Sequence, residues 1–214
     1  QQPKLRNLQT KVLAFVNALI YRDYNVFNSI IDIDKLELKN EIFQNKSEFF
    51  QDFQGKIISA DSIKMHDFSN LRVAIIGANQ HTVSYLHKLL QQVESIKIFQ
   101  LQPHFVLPYH AVGIQKLLHP LMIKNRRLFN QRIKSALALR YLDHEVENAW
   151  LKRQLTPNSA DQHKVFFKSD HYYAALPHPD CKLITWPVVK TTAQGVQSME
   201  GIGHLVDVVI TAFE

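Results

Sequence analysis

Residues 72–83 read Arg72-Val73-Ala74-Ile75-Ile76-Gly77-Ala78-Asn79-Gln80-His81-Thr82-Val83, and Leu86, Leu89 and Leu90 follow. A short apolar run ends on a glycine and passes into residues spaced three and four apart, so a strand over 72–76, a tight turn and a helix over 82–92 are predicted. This is the outline of a dinucleotide-binding unit. In the full fingerprint one glycine makes the turn, a second lets backbone approach a pyrophosphate, and a third lets helix and strand pack closely. Only Gly77 is retained; Asn79 and Thr82 occupy the other two places. The scaffold is therefore kept while the ligand contacts are altered.

Working outward, Ile96–Gln100 is a second strand candidate, followed by a loop punctuated by Pro103 and Pro108. Two strands joined by one helix in about thirty residues form a parallel crossover unit. A helical insertion is expected over about 111–154, then an irregular segment. Apolar runs at 182–185, 188–192 and 206–211 follow. Gln194-Gly195 and Glu200-Gly201 are turn signals for a small antiparallel ribbon. The expected fold is α/β: a Rossmann-like, mostly parallel sheet with helices on both faces, the insertion and the ribbon. Ahead of it, Leu5, Leu8, Val12, Phe15, Val16, Leu19 and Ile20 predict a helix over 4–20. Residues 1–50 are thus set apart as an N-terminal helical and irregular segment, and 51–214 as the Rossmann-like domain.

A chain of 214 residues with 46% hydrophobic content can bury a proper core. No apolar stretch reaches the length that spans a bilayer, and Gln1-Gln2-Pro3-Lys4 opens no signal-peptide pattern; a cytoplasmic setting is expected, without membrane partners. One cysteine, Cys181, excludes an internal disulfide and a multi-cysteine zinc site, and a small half-buried side chain is expected there. The net charge of +6 permits phosphate-bearing partners without requiring them. The densest basic stretch, Lys124 to Arg153, reads as the solvated face of amphipathic helices. A nucleic-acid interface is the lesser alternative, since neither zinc-finger spacing nor an aromatic RNA-binding signature occurs. Eleven histidines, with His104, His110 and His119 near one another, show no metal-site spacing, and no metal is expected. No Gly-x-Ser-x-Gly elbow is present for hydrolase chemistry.

Four stretches resemble one family in the same order. Leu155-Thr156-Pro157 leading through Gln162-His163-Lys164-Val165 to Tyr172-Tyr173 is similar to a Leu-Thr-Pro, Gly-x-Lys-Arg, paired-tyrosine segment. Gln100-Leu101-Gln102-Pro103 resembles a Gln-Arg-x-Pro turn. Phe53, Gly55, Ser59 and Ile63 fall at the spacing of a Phe-x-Gly-x-x-x-His-x-x-x-Trp signature, and Val206–Ala212 resembles a strand ending in Ala-Thr-Gly. The family is that of the flavin-dependent monooxygenases of the Baeyer-Villiger type and their flavin-containing relatives.

The resemblance implies the NADPH-binding domain of a two-cofactor enzyme, in which NADPH reduces FAD and the reduced flavin activates oxygen for insertion into a small organic substrate. It points to Gly77, Asn79, Gln80, Thr82, Gln100 and Lys164 as residues facing a bound nucleotide, with no catalytic residue. Departures fall on functional positions. Ser59 and Ile63 replace the signature His and Trp, Leu101 replaces the arginine expected at the 2'-phosphate, and Gln162 and Val165 flank Lys164. A leucine offers none of an arginine's charge or donors, so NADP binding is expected to be weakened. A switch to NAD is not supported, because Ile96–Gln102 holds no acid for the ribose hydroxyls. Residues 1–50 contain no glycine, so FAD would need a further domain outside this chain. Two readings remain open: a piece of a longer monooxygenase-like protein, inactive alone, or a non-catalytic interaction or assembly module on the same fold. Tyr172 and Tyr173 either pack a core, the favoured alternative, or line a nucleotide edge.

Overall fold

The computed structural model describes residues 49–109, 131–160 and 164–212. The chain divides into two units, Gln1–Gln51 and Asp52–Glu214. The helix expected over 4–20 lies outside the described residues. The second unit is built on five parallel strands: β1 (Lys56–Ser59), β2 (Arg72–Gly77), β3 (Ser95–Phe99), β6 (Cys181–Ile184) and β10 (Val208–Ala212), in the order β1-β10-β2-β3-β6. The chain runs outward from β2 to β3 and β6, then returns with β10 on the other side of β2. The reversal falls between β2 and β10, in register from Val73 opposite Val208 to Gly77 opposite Ala212. Such reversal points are where open parallel sheets bind ligands, beyond the carboxyl ends of the strands.

Residues 73–76 of β2 and all of β10 are buried, as expected of strands covered on both faces. On one face Val73, Ile75, Ile96, Ile98, Val208 and Ile210 pack against Val83, Leu86 and Leu89 of helix α1 (Gln80–Leu90). The three- and four-residue spacing puts those side chains on one side of the helix. A 3₁₀ turn over Ala60–Met65 adds Ile63 to this core. Helices α2 (Gln131–Glu145), α3 (Ala149–Leu155) and α4 (Tyr172–Ala175) contribute Tyr141, Leu142, Leu155, Tyr172 and Tyr173 to the same core. The insertion is therefore helical over its described part. Asn148 breaks it by accepting from the N–H groups of Trp150 and Leu151 and so capping α3.

On the opposite face lies the antiparallel ribbon β7 (Val188–Thr192), β8 (Gly195–Ser198) and β9 (Gly203–Leu205). Both turn signals were legible; the third strand was not, because Gly203-His204-Leu205 acquires strand geometry only by pairing with β8. A Cβ on Gly195 would collide with the His204 carbonyl, so the close approach of β9 demands glycine there. Two further strands escape a reading of periodicity. β4 (Phe105–Leu107) and β5 (Phe166–Lys168) are three residues each and pair in parallel across sixty residues of sequence. They replace the loop and the irregular segment expected there. No described helix is long and apolar enough to cross a membrane.

The sheet is pinned where β2 and β10 begin. Arg72 donates through Nε to Asp207 Oδ2 at 2.9 Å and through a terminal nitrogen to Oδ1 at 2.7 Å. Its main-chain N–H also reaches Oδ2, and Asp207 N–H returns to the Arg72 carbonyl at 2.8 Å. The Asp207 carbonyl accepts from Lys56 N–H, which brings in β1. A Cβ on Gly55 would strike the Phe53 ring and the Asp207 carbonyl, so the Phe-x-Gly spacing has a packing cause here.

Hydrogen bonds from the Arg72 side chain and backbone hold the Asp207 carboxyl down at about 2, below its ordinary 3.8. The depressed carboxyl stabilises the fold above pH 3.8, and that contribution is lost as pH falls towards 2. Asp207→Asn is expected to cost about 1–2 kcal/mol at neutral pH, the charged-bond value reduced because both side chains are about one-third exposed. It should also flatten the acid limb; thermal melts at neutral pH and across that window check both.

A second pH dependence comes from His204, which is 7% exposed with its ring edge-on to Phe99 at 5.3 Å. Its Nε2 is the buried side-chain polar atom left without a hydrogen-bond partner among the described residues. Burial, reinforced by Lys97 and Lys182, lowers its pKa from 6.5. The unfolded chain therefore takes up the proton first, and stability should fall as pH drops below 6.5. In His204→Phe the fall in Tm between neutral pH and about pH 5 should shrink; an unchanged fall would assign it to other groups.

Candidate functional site

The loop at the reversal point is organised by its own residues. Gly77 has φ +90°, a conformation that side chains with a Cβ rarely adopt. Asn79 is extended and caps α1: its Oδ1 accepts from Thr82 N–H at 3.0 Å, while Thr82 Oγ1 accepts from Asn79 N–H at 3.0 Å. Both are buried, at 6% and 4% exposure. This reciprocal cap starts the helix at Gln80, two residues before the periodicity alone placed it. The pattern Asn-x-x-Thr ahead of an apolar repeat was the available signal. The N–H groups of Gln80 and His81 remain without partners among the described residues, so the helix start keeps two donors.

Gln80 reaches across to β5. Its Nε2 donates to the Lys168 carbonyl at 2.8 Å and its Oε1 accepts from Lys168 N–H at 2.9 Å, so the side-chain amide pairs with that backbone as a neighbouring strand would. Lys168 was not among the expected site residues, and it could not have been, because it takes part through its main chain. Behind the loop, between the sheet and α1, lies a cavity of about 10 Å³ lined by Gly77, Ala78, Thr82, Val83, Ile98 and Tyr172 among others. That is room for about one water.

Gln100 is buried and internal to the fold. Its N–H donates to the Ile184 carbonyl, its Nε2 to the Gln102 carbonyl, and its Oε1 accepts from Tyr172 hydroxyl at 2.8 Å. Tyr172 and Tyr173 are core residues, with burial raising both hydroxyl pKa values. Ser169 Oγ accepts from the N–H groups of His171 and Tyr172, starting α4. Lys164 lies elsewhere, its ammonium 5.8 Å from the centre of the Phe105 ring. Four residues of extended chain, about 13 Å, separate it from Lys168. The loop therefore gathers Gly77, Asn79, Gln80 and Thr82, with Gln100 joined through Tyr172 and the cavity, while Lys164 stands apart.

The departures also have definite places. Ser59 is exposed at the end of β1, and Ile63 is fully buried in the core. Val165 is exposed and its carbonyl accepts from Phe105 N–H; Gln162 lies outside the described residues. Cys181 is buried, and burial lifts its thiol to about 12, which makes it an inert packing group. No group of three metal-ligating side chains occurs among the described residues. In the basic stretch, Lys152 pairs with Asp143 at 2.6 Å.

No protein-family profile matches the chain. A Baeyer-Villiger monooxygenase of Pseudomonas aeruginosa is 24% identical over 184 residues, covering 75% of this chain and 35% of that protein. The FAD-binding monooxygenase ktnD of Aspergillus niger is 28% identical over 174 residues, covering 69% of this chain and 28% of that protein. This chain is similar in sequence to flavin-dependent monooxygenases, one of them of the Baeyer-Villiger type. Solved structures agree on the fold. An open crystal structure of cyclohexanone monooxygenase superimposes with a TM-score of 0.59 at 16% identity, over 76% of this chain and 43% of the other. An oxidized steroid monooxygenase bound to NADP gives 0.58 at 14%, over 76% and 42%. The chain spans about a third of the length of the two curated relatives.

The residues fit part of a pyridine nucleotide. Gly77 and the two free donors at the α1 start suit a phosphate. The Asn79 cap and the Gln80 bridge stand beside those donors. Since the cap works through the Asn79 side chain, Asn79→Ala should cost about 1 kcal/mol, whereas Asn79→Gly should cost a few tenths, glycine being tolerated at a cap. Chemical denaturation of the two variants beside the parent checks this; equal losses would remove the cap from the account.

Proposed function

We propose that residues 51–214 are the NADPH-binding domain, in degenerate form, of an FAD-dependent monooxygenase-like protein that oxygenates a small organic substrate. The observation that carries this reading is the β2, Gly77, α1 unit standing at the sheet reversal, with the Gln80 and His81 N–H groups unpartnered among the described residues. When bound, NADPH supplies a hydride to the flavin, and the flavin carries the oxygen chemistry. FAD belongs to a further domain in this reading. Gly77 makes the turn that brings backbone close to a phosphate. Asn79 and Thr82 hold the first turn of α1 open towards it, and Gln80 stands at the rim. Gln100, tied to Tyr172, fixes the loop after β3, and Lys164 supplies positive charge on the segment before β5. Leu101 gives no charge for a 2'-phosphate, so the nucleotide is held weakly.

The alternative, a Rossmann-like interaction or assembly module that has lost cofactor binding, is favoured by one observation: the Gln80 bridge that ties β5 to the start of α1. Calorimetric titration with NADPH, with NADH alongside, separates the two. The cofactor reading expects weak saturable NADPH binding that weakens further in Lys164→Ala. It also expects the double variant Asn79→Gly, Leu101→Arg to bind NADPH about tenfold more tightly, a gain of roughly 1.4 kcal/mol. Absence of heat with either nucleotide in all these proteins would leave the assembly reading.

A further inference from the structure

We propose that the Gln80 side chain is a self-inhibiting clasp: it holds β5 across the start of α1, and a nucleotide phosphate reaches the loop only when the clasp opens. This rests on the reading of the loop as a nucleotide site.

Three observations meet here. The Gln80 amide makes two hydrogen bonds, at 2.8 and 2.9 Å, to both main-chain groups of Lys168, a residue 88 positions away. Gln80 is also the first residue of α1, so its own N–H is one of the two unpartnered donors. The clasp thus brings the β5 backbone within one glutamine side chain of the donors an anion would use. Finally, the bonds are solvent-exposed, unlike the buried Asn79 cap next to them. Exposed bonds exchange readily for bonds to water and can break while the cap and helix stay intact. The loop therefore has a fixed part, Asn79 with Thr82, and a releasable part, Gln80 with Lys168. Opening the releasable part costs the ligand some of its affinity, as any population shift towards a binding-competent state does.

The test follows hydrogen exchange at the Lys168 amide and NADPH binding in the full chain, for the parent, Gln80→Ala and Gln80→Glu. Glutamate keeps an acceptor for Lys168 N–H and loses the donor to its carbonyl, so it keeps half of the clasp. Faster Lys168 exchange and about tenfold tighter NADPH binding are expected in Gln80→Ala, equivalent to about 1.4 kcal/mol. Lys168 exchange in the parent should also rise when NADPH is added. Unchanged exchange in Gln80→Ala overturns the clasp. Faster exchange with NADPH affinity equal to the parent's overturns the inhibition and leaves the nucleotide domain standing. Faster exchange with no NADPH binding in any of the three proteins overturns the nucleotide reading itself, and the inhibition with it.

Discussion

The pairing of β2 with β10 is the constraint on which the rest of the domain depends. The strands are remote in sequence, parallel, and almost wholly buried. Nothing local joins them, so their register must be set by contact. At one end the Arg72 guanidinium and the Asp207 carboxylate form a two-point bond, reinforced by main-chain bonds in both directions. A planar guanidinium grips a carboxylate with directional donors, which specifies register as well as attraction. A slip of one residue would turn every side chain to the wrong face. At the other end of the same strands, Gly77 comes opposite Ala212, and the loop to α1 opens at the reversal of the sheet. The ion pair thus positions the candidate site without touching it.

The two faces of the sheet are closed by different physics. The helical face is a continuous apolar core into which α1, the 3₁₀ turn and the two adjacent tyrosines pack. The ribbon face admits charge. Lys97 and Lys182 are opposite one another on β3 and β6, and Lys97 Nζ donates to the Leu205 carbonyl on β9. His204 is buried beside Phe99 with a nitrogen unpartnered among the described residues, an uncommon cost for a small ribbon to carry. Burial and like charge act in the same direction on Lys97 and on His204, lowering the proton affinity of both. The pH sensitivity of the domain is therefore expected at two separated places, the Arg72–Asp207 end of the sheet in acid and the ribbon contact nearer neutrality.

Side chains at and near the loop serve the fold itself. Asn79 stands where a glycine would let pyrophosphate approach, and its side chain satisfies a helix donor that would otherwise be open. Ile63 stands where the resemblance places a tryptophan, and it is fully buried in the apolar core. Gln80 occupies the helix start and ties two elements together. Asn79 and Gln80 thus bond within the chain, and Ile63 packs within it.

The sequence by itself determined the elements that repeat: the apolar run of β2, the three-and-four spacing of α1, the glycine turn between them, the ribbon turns at 194–195 and 200–201, and the order of motifs that carries the resemblance. These are local signals, since burial of one face imposes a period and a positive φ imposes glycine. Tertiary structure decided what short or featureless segments do. β4 and β5 are too short to show a period, and they become strands only because distant residues meet. Gln100 was legible as a site candidate and Tyr172, by the favoured reading, as a core residue; the hydrogen bond between them, which turns Gln100 inward, was not legible. Lys164 matches the motif but stands beside Phe105, while the main chain of Lys168, silent in any side-chain reading, meets the loop. A sequence specifies side-chain chemistry at each position; which groups spend that chemistry on one another is settled only when the chain brings them within bonding distance.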